Sequence, residues 1–75
     1  PQKVRPTVRI VELSKKREQY LFDGQLGILL QGSAALLLGE DQQPVNLRDT
    51  VAGSDAREPR ISGRGVMAVV SFDLV

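Results

Sequence analysis

Along this chain the apolar positions alternate with polar ones or gather into short runs, and nowhere do they hold the 3.6-residue spacing of an amphipathic helix. Residues 4–13, VRPTVRIVEL, read as extended: Pro6 is excluded from a helix interior, and Val4, Thr7, Val8, Ile10 and Val11 are β-branched residues that suit a pleated surface. Pro6 also lacks a donor for one ladder, which marks an edge. Residues 14–19, SKKREQ, carry too little apolar character for a helical stripe and read as a charged loop. Asp23-Gly24 then stands between 19–22 and 25–30, the pattern of a type I′ hairpin, with Gly27 marking a bulge or bend in the second strand.

Residues 27–41, GILLQGSAALLLGED, are the most apolar stretch. A membrane span needs about 18 consecutive apolar residues, and the run from Leu26 to Leu38 is 13 long and broken by Gln31 and Ser33. Leucines on every side of a helical wheel, with Gly27 and Gly32 inside it, argue against a soluble helix. The pattern predicts two strands, 27–30 and 34–38, joined by a turn at Gln31-Gly32-Ser33. Residues 39–44 read as another turn. Residues 45–51 read either as a half-exposed strand or as a strand followed by a turn at Arg48-Asp49. Residues 52–65, with three glycines, one proline and five charges, form a long loop, and 66–75 close the chain as a strand. The expected fold is all-β: a single domain over 1–75, a small antiparallel barrel or sandwich of about six short strands with little or no helix, an N-terminal arm at 1–9 and the loop at 52–65.

In a strand, successive side chains point to opposite faces, so ILL at 28–30, LLL at 36–38 and VMAVV at 66–70 place apolar groups on both. A helix-free domain of two layers covers only the inner one. The chain is also short: a domain of 75 residues buries only about 60 % of its unfolded surface. With no cysteine and no histidine, disulfides and zinc cannot brace it, which leaves association with other chains. The expected interface residues are Val4, Val8, Ile10, Leu29, Leu37, Val66 and Val69.

Net charge is +1, but it is segregated: residues 1–17 hold six basic residues against Glu12 alone, and residues 18–47 hold Glu18, Asp23, Glu40 and Asp41 with no base. Opposite segments of this kind can meet within a chain or between neighbours. Lys3, Arg5, Arg9, Lys15, Lys16 and Arg17, with Arg57, Arg60 and Arg64 on the long loop, make the alternative expectation, a small barrel that contacts anions or nucleic acid. Only Tyr20, Phe22 and Phe72 are present to stack on bases. No basic-then-apolar leader is seen and Pro1 fits removal of an initiator methionine, so the expected location is the cytoplasm or a particle assembled there.

Catalytic chemistry finds no foothold in the pattern. Without histidine or cysteine, the usual nucleophile-base dyads are missing. The carboxylate pairs Glu40/Asp41 and Asp55/Glu58 fall in expected turns, where acidic residues serve solubility. The segment ILLQGSAALLLGEDQQPVNLRDTVAG resembles the strand, glycine turn, strand and L-x-x-G-D hairpin of cupin and cyclic-nucleotide-binding jelly rolls, over about a third of the chain. It departs from both families, since it lacks the cupin histidines and glutamate, and AGSDAREPR does not reproduce the Gly-Glu and arginine of the nucleotide binders. Neither metal nor nucleotide binding is implied. The expectation is therefore a non-enzymatic, cofactor-free structural or interaction protein without a membrane span. It assembles with itself or a larger scaffold, as a virion, capsid-decorating or appendage component does.

Overall fold

The computed structural model describes residues 3–74 of the chain; Pro1, Gln2 and Val75, including the first two residues of the expected arm, lie outside the described residues. The fold is all-β, with six strands: β1 (Val4–Leu13), β2 (Gln19–Tyr20), β3 (Gln25–Leu38), β4 (Asp41–Val45), β5 (Thr50–Ala52) and β6 (Arg60–Leu74). They form one antiparallel sheet in the order β1-β6-β3-β4, with β2 also on β6 and β5 also on β3.

Two long strands, β3 and β6, are the spine. They pair from Gln25↔Ser71 to Leu37↔Arg60. Sequence had divided β3 into two strands at Gln31-Gly32-Ser33; instead the strand runs through, and these residues make a corner. Leu30 is extra at a bulge between Leu29 and Gln31. Just beyond it, Gly32 (φ 86°) lies against Gly65 (φ 149°), and Gly63 (φ 157°) lies against Ala34. A Cβ on Gly32 would overlap the Arg64 carbonyl, and one on Gly65 would overlap the Gln31 carbonyl. Glycine is required twice over here, by the positive φ and by the close approach of two backbones.

The corner folds the sheet over itself into two layers. One layer holds β1, the C-terminal half of β6, the start of β3, and β5; the other holds β2, the start of β6, the end of β3, and β4. Between them lies one apolar cluster of Leu13, Leu21, Leu29, Val45, Val51, Ile61, Met67 and Val69. Gly27 is not the bulge that sequence suggested. It sits in regular pairing, where a Cβ would come within 3.0 Å of Leu21 Cδ1 and Met67 Sδ, so it makes room for the core.

Other boundaries moved for local reasons. The Asp23-Gly24 turn exists, but only Gly24 has positive φ, and the turn links β2, which pairs with β6, to β3; no type I′ hairpin forms. Residues 41–44, expected in a turn, belong to β4, with the reversal confined to Gly39-Glu40. Of the two readings of 45–51, the strand followed by a turn holds: Asp49 N–H donates to the Asn46 carbonyl and Asn46 N–H to Asp49 Oδ2, closing the turn before β5. Residues 60–65, expected in the long loop, open β6, which leaves 53–59 as the loop. Residues 4–9 are no free arm, since β1 is paired along its whole length with β6, from Val4↔Leu74 to Leu13↔Gly65.

Candidate interaction face

Residues directly opposite in an antiparallel ladder share a face, so the register sorts the first layer into two. The odd-numbered set, Val11, Leu13, Leu29, Val51, Met67 and Val69, turns inward onto the core. The even-numbered set turns outward: Val4, Pro6, Val8 and Ile10 on β1, Val66, Ala68, Val70 and Phe72 on β6, Leu26 and Ile28 on β3, and Thr50 and Ala52 on β5. Among the described residues, this outer face carries no charge apart from Glu12 at one end. Val4, Val8 and Ile10 are 57 %, 62 % and 59 % exposed, and Phe72 is 43 % exposed.

The outer face of the second layer is a control within the same molecule. There, Leu37, Ala35 and Pro44 alternate with Arg60, Arg64, Gln42, Ser62 and Ser33, the ordinary mixture of a solvated sheet. An open cavity of about 450 Å³ on this side is lined by Lys15, Ser33, Leu37, Gln42 and Ser62 among others. The contrast isolates the first layer as the anomalous one.

Beyond the core, β1 and the end of β6 continue as a two-stranded ribbon, and here the polarity is inverted. Its core-side face carries Arg5 and Asp73, following Thr7 and Ser71 at the last three-stranded row, whereas its outward face carries Val4, Pro6 and Phe72. Water meets the apolar side.

The free edge of β1 is guarded. Phe72 N–H donates to the Gly24 carbonyl at 2.8 Å, on the side away from β1, so Pro6↔Phe72 is a non-hydrogen-bonded pair and the Pro6 nitrogen points to the open edge. A proline there, with Arg5 and Arg9 beside it, discourages strand addition. The face, rather than the edge, is the surface left open.

Of the expected interface residues, Val4, Val8 and Ile10 lie on this face, and Val66 is on it and half-buried. Leu37 is half-buried on the opposite layer. Leu29 and Val69, at 0 % and 1 % exposure, are core; alternation sends them inward, a parity that sequence leaves undetermined until the register is known. Pro6, Leu26, Ile28, Ala68, Val70 and Phe72 share the face and were not singled out from sequence. Their signal was the period-two spacing with Val66 and Val4, once one of these is known to face outward.

The expected anion-binding set is not gathered into one patch. Lys3, Arg5 and Arg9 lie at and just after the start of β1, whereas Lys15, Lys16 and Arg17 sit beyond its far end, in a tight turn closed by Arg17 N–H to the Ser14 carbonyl. Arg60 pairs with Glu18 at 3.3 Å, Arg64 stands on β6 facing out from the second layer, and Arg57 is on the 53–59 loop. In that loop, Asp23 and Asp55 each accept a bond from the other's backbone N–H, at 3.0 and 2.9 Å, which pins it to the Asp23-Gly24 turn. Tyr20 and Phe22 stack nearby with centroids 6.4 Å apart and line an open cavity with Asp55 and Glu58. Among the described residues, no group of three acidic side chains is placed to hold a metal ion, and no helix is long and apolar enough to cross a membrane. Comparison with protein-family models, curated proteins and solved structures found no match.

Proposed function

We propose that this chain is a non-enzymatic assembly module that binds another protein surface, its own copy or a larger scaffold, through the outer face of β1, β6, β3 and β5. One observation carries the reading: a sheet face whose one charge among the described residues is Glu12 at its end, and on which Val4, Val8 and Ile10 stay more than half exposed, next to a second layer whose outer face is conventionally polar. Each such side chain left wet forgoes about 1.5–3 kcal/mol of burial, which association would recover. Virion, capsid-decorating or appendage components are settings in which small helix-free units work this way.

Nucleic-acid binding is supported less well, because the basic residues that would supply it are spread over both ends of β1 and both layers. The two readings respond oppositely to salt. Backbone contacts to nucleic acid weaken steeply as salt rises, while an apolar contact persists. Light scattering after size exclusion tests the proposal: the wild type is expected above monomer mass in both 0.1 and 1 M salt, and Val8→Glu at monomer mass in both. Wild-type monomer at all salt concentrations, with tight salt-sensitive binding of a single-stranded oligonucleotide, would reverse the order of the two readings.

A further inference from the structure

Two of the aromatic rings of this chain, Tyr20 and Phe22, are held in water beside carboxylates. Leu21 between them is fully buried, and alternation sends its two neighbours outward, 43 % and 52 % exposed, with ring planes 11° apart. The 53–59 loop is laid against this segment and tied to it along its length. Ser54 N–H donates to the Leu21 carbonyl at 3.3 Å, and Leu21 N–H donates to the carbonyl of the buried Pro59 at 3.2 Å. The exchange of bonds between Asp23 and Asp55 fixes the stretch between them. The result is an open cavity of about 610 Å³ lined by Tyr20, Phe22, Asp55 and Glu58.

Neither carboxylate in that cavity has a basic partner, since the one ion pair among the described residues is Arg60 with Glu18. Arg60 stands opposite Tyr20 in the ladder, but its guanidinium is engaged by Glu18 and, at 3.5 Å, by the Gly39 carbonyl. Arg57 lies between Asp55 and Glu58 in sequence, yet it lines a different cavity, with Leu36, Leu38 and Val51. The face of an aromatic ring is electrically negative, so rings and carboxylates present the same sign to whatever enters. Phosphates are repelled here, and a cation is drawn in.

We propose that this cavity receives an arginine side chain of a partner protein. A guanidinium is planar and weakly hydrated, so its faces stack on rings while its N–H groups fan out in its own plane to reach carboxylates. A lysine ammonium reaches carboxylates but offers no flat face. A quaternary ammonium packs on rings but has no N–H to give. Only the guanidinium uses both halves of the site. The rings and the loop are already tied in place, so entry demands little further ordering of the protein, and one side chain can then anchor a wider contact. None of the four lining residues belongs to the apolar face of the first layer, so the site is separate from the surface proposed for assembly.

Tyr20 is the single tyrosine in a chain without tryptophan, so intrinsic fluorescence reports on this cavity. Titration with acetyl-Gly-Arg-Gly-amide, whose only charge is the guanidinium, is expected to change it saturably in the millimolar range. The acetyl-Gly-Lys-Gly-amide counterpart is expected to bind about threefold or more weakly. Asp55→Asn combined with Glu58→Gln keeps side-chain size and leaves an Asn carbonyl to accept from Asp23 N–H; it is expected to weaken the arginine peptide about tenfold. Phe22→Leu is expected to abolish the preference for arginine over lysine while charge-driven binding of both persists. Val8→Glu, placed on the apolar face, is expected to bind as wild type does. The proposal is overturned by the absence of a saturable change with the arginine peptide, by equal binding of the two peptides to wild type, or by indifference to the double variant. Loss of binding in Val8→Glu would overturn the separateness of the site, whereas a monomeric wild type that still prefers arginine would sink the assembly reading alone.

Discussion

Gly65 and Gly39 both have positive φ, at 149° and 60°, yet they carry different burdens. A Cβ on Gly65 meets the Gln31 carbonyl and the Gly32 Cα, whereas one on Gly39 meets nothing within 4 Å. Gly39→Ala is expected to cost about 1 kcal/mol, the conformational term alone. Gly65→Ala adds a backbone collision that no rotamer can relieve, and is expected to cost at least ~3 kcal/mol or prevent folding. Urea unfolding of the two variants beside wild type measures the difference; equal costs would mean the corner does not depend on close approach. The need for glycine at 32, 63 and 65 was not legible in sequence. A glycine that permits a turn and a glycine that permits two backbones to touch look the same until the strand opposite is known, which is why Gln31-Gly32-Ser33 read as a reversal of direction.

At the level of elements, sequence did well where the signal was local. The extended run of 4–13, its edge position and the charged loop after it follow from Pro6, from the β-branched residues and from the lack of an apolar stripe in SKKREQ. It did less well where the partner decides. Asp23-Gly24 predicts a hairpin only if the flanking strands pair with each other, and here β2 pairs with β6. Likewise Arg60 to Gly65 look like loop in their polarity and glycine content, but the ladder with β3 holds them extended. For β1, the orientation of Pro6 gives a testable consequence. Pro6→Thr supplies an N–H to the open edge without disturbing the bonds to β6, so stability is expected to stay within about 0.5 kcal/mol while strand-on-strand aggregation accelerates. Thioflavin fluorescence of the two proteins at equal concentration reads this out, and an unchanged rate would show that Arg5 and Arg9 guard the edge without the proline.

In the whole molecule, the core is small: among the described residues it is one cluster of eight buried apolar side chains, and no polar or charged side chain is buried. Sequence made legible that this chain has more apolar strand than two layers can enclose, but not which face is left over. Parity settles that, and parity depends on the register of β1 on β6, which no single segment specifies. Leu29 and Val69 were therefore expected at the interface and are core, whereas Phe72 and Val70, one or three residues further on, face out. The apolar outer face is the central claim, and the dependence of thermal stability on concentration tests it most directly, since a contact made only by folded chains raises the unfolding midpoint as the protein is concentrated. From about 1 to 100 times a micromolar concentration, the wild-type midpoint is expected to climb by several degrees and the Val8→Glu midpoint to stay level; a flat wild-type midpoint over the same range would contradict the account.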